Sequence, residues 1–495
     1  MILPKNFFSK IRPLLPYILI FILAFFPFFG LLDTYPIQHW DEAQLAVNAQ
    51  EMNQNGKYLV TYYEGAPDMW NTKPPFMIWC QVGWMKLIGE NELAVRLPSA
   101  IAAMLTCFLL FYFSKNYLKN SILGFIAALV LMTSWGYVEG HAVRTGDYDA
   151  MVSLFTTAYC LFYFLFLERK QNKYIYLFAL GFTLAVFTKS IVGLLFFLPL
   201  AIYTVFTKKT KFVLSNKHLY IASGLGFLLI AAYYLGRESL NPGYLQAVWD
   251  NDLLGRFSQV IEGHDGSIFF YIKHLVLFQY RYWMLFAGAS AILALSLKNL
   301  KLRKLMQFML FCILGFFCVI TVSETKIPWY TTPLFPLLAL LSSLSIYFVY
   351  DWLKTMDYAT KKLKYNVLPC IFLCLIFVLP YAKIVIKSKE NPLCVKSYYA
   401  YSTILQKAVK GECDVNTHRI LHEEHNSYYD FYVHILKQKG VDIDFVADKK
   451  NMEAAFGKKI IVQQAHLKKY IEAEYIYEKM DSIENVIIYK IHGRK

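Results

Sequence analysis

Four short polar clusters stand at the edges of long apolar runs in this 495-residue chain, and their side chains are the kinds that do chemistry. His39-Trp40-Asp41-Glu42 pairs two carboxylates just after the first apolar run. Lys73-Pro74-Pro75 holds a cation before two prolines, which keep the chain stiff and extended. Arg144-Thr145-Gly146-Asp147-Tyr148-Asp149 sets two acids at the start of a predicted helix, where the backbone dipoles favour anions. Glu324-Thr325-Lys326-Ile327-Pro328-Trp329-Tyr330 lies at another apolar boundary, and Lys189 and Arg256 add two cations. Each cluster also has a plain structural reading: a helix N-cap for Asp41 or Asp149, a snorkelling amine for Lys73. A cap explains one acid of the Asp147/Asp149 pair and leaves the other without a reason. Ionisable groups at membrane depth are costly and usually functional. Several cations beside two or three carboxylates fit an anionic lipid headgroup and a general base.

The elements that must position these residues follow from composition. The chain is 57% hydrophobic, 17% aromatic and only 17% charged, against about 25% charged residues in soluble proteins. The apolar residues gather in uncharged runs long enough to cross a hydrocarbon core of about 30 Å. Predicted spans cover residues 13–32, 97–113, 122–138, 150–167, 218–236, 282–297, 305–323, 327–350 and 365–382. Residues 174–206 are too long for one helix and read as a hairpin with Lys189 near its apex. That makes eleven spans, with more helix expected within residues 267–297. The 13–32 run lacks a small-residue cleavage site and reads as a retained span.

Basic residues occupy every second loop: Lys5/Lys10/Arg12, Lys115/Lys119, Arg169/Lys170/Lys173, Lys208/Lys209/Lys211/Lys217, Lys298/Lys301/Arg303/Lys304 and Lys354/Lys361/Lys362/Lys364. Lysine and arginine mark cytoplasmic loops. The net charge of +15 is therefore a topology signal, and no nucleic-acid partner is expected. The N-terminus is predicted to be cytoplasmic. The four clusters and the C-terminal tail then share the outer side of the membrane.

The first outer loop, residues 33–95, carries eight carboxylates and three lysines. Two interfacial helices are expected in it, near residues 41–54 and 74–88. Residues 1–386 form the predicted membrane domain, and 387–495 an outer-side α/β domain of alternating β-rich and charged helical pieces. His422-Glu423-Glu424-His425 reads as a solvated polar turn. The nine cysteines form no CxxC pair, and a bridge is conceivable only between Cys394 and Cys413, which lie in polar sequence.

Asp41-Glu42, Lys73-Pro74-Pro75, the helix start at Asp149, the Phe187-Thr188-Lys189 hairpin, and Lys326-x-Pro328-x-Tyr330 leading into Pro333-Leu334-Phe335-Pro336 stand in an order that resembles a known family. It is that of the bacterial lipid A aminoarabinose transferases and their protein O-mannosyltransferase relatives, membrane glycosyltransferases that use a polyprenyl-phosphate-linked sugar. The resemblance covers roughly residues 15–350 and is weak in the tail. It implies a GT-C type, all-α polytopic fold with about thirteen spans and a periplasmic active site. Asp41 matches the catalytic first-loop carboxylate, Asp149 a second functional acid and Lys73 a phosphate-contacting lysine.

The segment Asp252-Leu253-Leu254-Gly255-Arg256-Phe257 is similar to one that reads Glu-His-x-x-Arg-Phe in the family. Arg256, Lys326 and Lys189 therefore join Lys73 as candidates for the donor phosphate. Asp41, Glu42 and Asp149 are the candidate catalytic acids. Tyr330, Arg144, Asp147 and His39 are candidate substrate contacts.

Two positions depart from the family. Thr72 and Leu253 stand where the aminoarabinose branch often carries Glu and His, which can hold a metal, so no metal ligand or cofactor is assigned. The implied partners are a polyprenyl-phosphate sugar donor, membrane lipids and an acceptor. The acceptor expected is lipid A or another glycolipid, with protein Ser/Thr or a polysaccharide as the alternative. A lipid-linked sugar transporter is the reading from a different class. Against it, no internal repeat is found.

Overall fold

The computed structural model describes residues 13–139, 141–255, 260, 263–360, 367–389, 399–422, 427–446, 452, 456–483 and 486–495. Every predicted span contains a helix. In chain order these and the first-loop helices are α1 (Leu15–Phe29), α2 (Asp41–Asn55), α3 (Phe76–Ile88), α4 (Glu92–Phe113), α5 (Ser121–Met132), α6 (Asp149–Arg169), α7 (Lys173–Lys189), α8 (Phe197–Phe206), α9 (Lys217–Leu240), α10 (Met284–Ser296), α11 (Leu300–Val322), α12 (Phe335–Thr360) and α13 (Val367–Lys389). Seven helical segments among the described residues are long and apolar enough to cross a membrane, and shorter apolar helices stand at the remaining predicted spans. The stretch 267–297 holds extra helix, as expected, at Phe270–His274 and Leu275–Gln279.

The hairpin expected over residues 174–206 is α7 and α8 joined by a 3-10 turn, Ser190–Leu194. Ser190 has φ 42°, which ends α7 immediately after Lys189. Gly193 then packs on the α7 backbone, where a Cβ would lie 2.6 Å from the Ala185 carbonyl carbon. Lys189 is thus fixed at the apex.

The C-terminal part is a small α/β unit. It comprises α14 (Ala400–Val409), β3 (His418–Leu421), α15 (Ser427–Gln438), β4 (Ile443–Val446), β5 (Lys459–Val462), α16 (Ala465–Glu474), β6 (Tyr475–Ile483) and β7 (Val486–Arg494), with β1 (Tyr62–Tyr63) and β2 (Ala66–Pro67) forming a hairpin in the first loop. The strand order is β4-β3-β5-β7-β6; β3 runs parallel to β4 and β5, and β7 runs antiparallel to both neighbours. The helix expected over residues 466–479 stops at Glu474. Beyond it, Tyr475 and Tyr477 are β-formers that pair with Arg494 and Ile491 of β7. Glu423, Glu424, His425 and Cys394 lie outside the described residues, while Cys413 is a free thiol.

One expectation about the first loop is corrected. Helix α2 does not lie open on a membrane surface, because residues 42–52 are all buried. It is packed between α3 and α15 of the C-terminal unit. Its amides are consumed in that interface: Gln50 Nε2 donates to the Phe431 carbonyl at 3.2 Å, and His434 Nδ1 lies 3.0 Å from Gln50 Oε1. Nearby, Tyr432 Oη accepts from the Ile37 N–H at 2.9 Å and donates to Glu92 at 2.7 Å. The tail therefore clamps the loop that carries Asp41.

A pH dependence of this clamp is expected from its Tyr63–Asp430 contact. Tyr63 Oη donates to Asp430 Oδ2 at 3.0 Å. Burial, aided by Glu64 and Glu51, outweighs the Tyr63 hydrogen bond and Lys437 and raises the Asp430 carboxyl to about 7. The folded state thus holds this proton more tightly than the unfolded chain, whose carboxyl titrates near 3.8. Its contribution is complete below that value and is lost as pH rises through about 7. The thermal unfolding midpoint should therefore fall between about pH 4 and 7, and Asp430→Asn should flatten that fall. An identical slope in the Asn variant would remove Asp430 from the account.

Candidate active site

The loop before α6 is nailed in place by its backbone. Glu42, 1% exposed, accepts from Arg96 Nε at 2.7 Å and Nη2 at 2.9 Å, from the Gly146 N–H at 2.7 Å and from the Gln38 N–H at 2.7 Å. Arg96 also donates to the carbonyls of Leu32, Tyr35 and Pro36. Gln81 Nε2 holds the Gly146 carbonyl at 2.9 Å, and Ser99 Oγ the Asp147 carbonyl at 2.9 Å. A Cβ on Gly146 would stand 2.9 Å from the Val95 carbonyl oxygen, so only glycine permits this approach. Asp147 and Asp149 are thereby presented at fixed positions.

They face a cavity of about 400 Å³ that is also lined by Asp41, Lys73, Lys189, Trp329 and Tyr330, with Ile191, Val192, Leu195, Val319 and Ile320 forming apolar wall. Lys189 Nζ lies 2.7 Å from Asp149 Oδ1, and Asp149 Oδ2 is buried with no hydrogen-bond partner among the described residues. Lys73 is held more loosely, 3.9 Å from Asp252 Oδ1 and 5.7 Å from the Tyr148 ring centroid. Asp41 is the exposed first residue of α2.

His141, which sequence reasoning missed, stands beside the site. Its ring stacks on Trp329 at 4.0 Å between centroids and 14° between planes, and its Nδ1 lies 2.8 Å from Asp147 Oδ2. Burial disfavours the His141 charge, but the hydrogen bond and charge of Asp147 win and raise its pKa. Burial likewise opposes ionised Asp147, and its bond to His141 keeps the carboxyl below the usual range. This histidine sits in the same short loop as the Asp147/Asp149 pair, which was the available signal. Only the tertiary fold brings it within 4.8 Å of Asp41.

Several predicted site residues do not line the cavity. Glu42 is consumed by Arg96 and the backbone, so it is a strut. Arg144 lies 3.7 Å from Glu139 and donates to the Pro27 carbonyl, lining a separate cleft with Arg96 and Tyr399. His39 is buried edge-on against Trp40 and Tyr428. Lys326 Nζ donates to the Ser323 carbonyl at 2.6 Å and is not part of the cavity lining that Ser323 and Tyr330 join. In each case a nearer protein partner satisfies the group. Arg256 lies outside the described residues.

The donor set for a metal at the two family positions is missing. Thr72 is buried with its hydroxyl unpartnered, and leucine at 253 has no ligand atom. Asp41, His141 and Asp147 do bring three ligand atoms within 4.8 Å of one another.

Fold and site together define a class: a polytopic membrane protein with the GT-C glycosyltransferase fold and a small C-terminal sheet domain. A family model described as dolichyl-phosphate-mannose-protein mannosyltransferase matches residues 72–234. The chain is 27% identical over 339 residues to undecaprenyl phosphate-alpha-4-amino-4-deoxy-L-arabinose arabinosyl transferase 1 of Proteus mirabilis, covering 66% of this chain and 58% of that one. The corresponding Aeromonas hydrophila transferase is 26% identical over 261 residues, covering 50% and 46%. The chain thus spans about half the length of these relatives. ArnT from Cupriavidus metallidurans bound to undecaprenyl phosphate superposes with a TM-score of 0.68 at 14% identity, covering 95% of this chain and 97% of that one. The Archaeoglobus fulgidus oligosaccharyltransferase in the apo form gives 0.57 at 12% identity, covering 96% and 70%. The family resemblance drawn from the motifs is borne out, and these likenesses support a glycosyltransferase.

Proposed function

We propose that the chain transfers a sugar from an undecaprenyl-phosphate-type donor to a hydroxyl or phosphate of an acceptor on the periplasmic side of a bacterial inner membrane, with lipid A or a similar glycolipid as acceptor. The observation that carries this reading is one cavity in which Lys73 and Lys189 meet Asp41, Asp147 and Asp149 beside an apolar wall. An apolar cavity of about 700 Å³ between α7 and α9 shares Ser190 and Ile191 with it, a suitable berth for a polyprenyl tail. The match to the mannosyltransferase family model favours protein Ser/Thr as the second reading for the acceptor.

The leaving group in this reaction is an ionised phosphate, which needs cations more than a proton donor. Lys73, paired only at 3.9 Å, is the amine free to move from Asp252 to the phosphate. Lys189 is already engaged with Asp149, so that pair acts as a unit that orients rather than as an idle cation. Asp41 takes the proton of the attacking hydroxyl, with the His141–Asp147 pair beside it. Attack opposite the phosphate inverts the anomeric carbon.

Lys73→Ala should weaken undecaprenyl phosphate binding about 10- to 100-fold, the worth of one hydrogen bond to a charged group. Titration of the purified protein with that lipid measures it, and an unchanged affinity would reduce Lys73 to an interface anchor. Mass spectrometry of lipids from cells with and without the protein tests the whole reading. A sugar-sized mass missing from a glycolipid in the null strain is the expected result. If the glycolipids and the lipid-linked sugar pool are both unchanged, the transferase reading fails.

A further inference from the structure

A second cavity of about 400 Å³ adjoins the first, and Asp41, Lys73 and Tyr148 line both. The carboxylate assigned as base therefore stands at the junction of two spaces. They differ in kind. The first has an apolar wall and two lysines; the second is lined otherwise by Trp40, Gln44, Leu45, Tyr63, Asp68, Trp70 and Asn71.

Two features of this second space point to its occupant. Trp40 and Trp70 are 52% and 53% exposed, two large aromatic surfaces on the wall of the cavity. Trp40 is held at φ 65°, a conformation that non-glycine residues rarely adopt and that tends to persist at functional sites. The floor is polar and rigid. Gln44 Nε2 donates to Asp68 Oδ2 at 2.6 Å, Asn71 Nδ2 to Asn48 Oδ1 at 2.8 Å, and Tyr148 Oη to Asn71 Oδ1 at 3.0 Å. A saccharide has apolar C–H faces and a rim of hydroxyls, which suits aromatic faces above fixed amides and carboxylates.

Charge narrows the acceptor atom. Asp41 and Asp68 line the space with one cation, Lys73, which also faces the donor cavity. A phosphate acceptor would meet two carboxylates there, whereas a hydroxyl would meet the acceptor oxygen it needs for its proton.

Resting on the donor reading above, we propose that this second cavity is the acceptor site and that it takes a saccharide, held against Trp40 and Trp70, one of whose hydroxyls attacks the donor with Asp41 as its base. The hydroxyl oxygen bonds to the donor's anomeric carbon and its proton passes to Asp41. The bond from that carbon to the phosphate oxygen breaks, and polyprenyl phosphate leaves with the electron pair. Tyr63, bonded to Asp430, forms part of the wall, so the C-terminal unit buttresses this site.

The test is saturation-transfer NMR on the purified full chain in detergent, with three probes: a glucosamine disaccharide, the same disaccharide phosphorylated, and a Ser/Thr-containing peptide. The neutral disaccharide should bind, and the phosphorylated form should bind no tighter. The Trp40→Ala/Trp70→Ala double variant should weaken disaccharide binding about tenfold or more, and Trp70→Phe alone should keep most of it. Undecaprenyl phosphate binding should be the same in wild type and the double variant, which shows that the fold and the donor cavity are intact. Tighter binding of the phosphorylated sugar, displacement of the disaccharide by the peptide, or undiminished binding by the double variant would each overturn the acceptor assignment. Failure of the wild-type chain to bind undecaprenyl phosphate would overturn the donor reading and the acceptor assignment with it.

Discussion

Asp41→Asn should lower sugar transfer by about 10²- to 10⁴-fold, the usual contribution of a positioned base. The substitution keeps the shape of the side chain and removes only its capacity to take a proton. Asp41 is exposed at the first turn of α2 and shares no ion pair among those described, so its loss should cost little stability. Undecaprenyl phosphate binding should persist, because Lys73, the lysine assigned to the phosphate, is untouched. The measurement is the glycolipid mass profile of cells carrying wild type, no protein, or the Asn variant. The Asn strain should look like the null strain and accumulate the lipid-linked sugar. Normal turnover by the Asn variant would sink the assignment and shift attention to His141, whose Nδ1 is oriented by Asp147 at 2.8 Å.

Glu42→Gln should act on the fold before it acts on the chemistry. The Glu42–Arg96 pair is buried on both sides, with Nε–Oε1 at 2.7 Å, and removing one partner of such a pair leaves an uncompensated buried charge. The expected cost is about 3–5 kcal/mol, read as a lower unfolding midpoint in detergent. Arg96→Met should behave similarly, with the added loss of three carbonyl partners. Their double variant should recover part of the loss, since neither charge is then stranded. Glu42 also accepts the Gly146 N–H, so activity should fall through displacement of the Asp147–Asp149 loop. A fully stable but inactive Glu42→Gln protein would return Glu42 to the catalytic acids.

The two substitutions separate adjacent residues that look equivalent in a linear reading. Asp41 and Glu42 are both acids in a first helical turn. Successive helical positions point about 100° apart, so one side chain reaches the cavity and the other reaches Arg96, 54 residues away. No local pattern around Glu42 announces that partner.

What the sequence determined by itself was the framework. Runs without charges can only be satisfied as helices in hydrocarbon, and each predicted span is helical. Lys189 at a hairpin apex, the acids at the start of α6 and the first-loop helices followed from local signals: basic flanks, helix-start acids and prolines. The candidate donor lysines Lys73 and Lys189 and the acids Asp41, Asp147 and Asp149 also line one cavity, as motifs spread over 149 positions had implied.

The tertiary structure decided which polar groups were left for chemistry. Lys326, Arg144, His39 and Glu42 each found a carbonyl, a carboxylate, a ring or a guanidinium close by, and burial makes an unmet polar group too costly to leave. It also brought His141 onto Trp329 and laid the C-terminal unit over α2. These contacts join residues up to 395 positions apart, as in the Ile37–Tyr432 bond. Their energies depend on burial and direction, which are properties of the folded chain and not of any short segment of it.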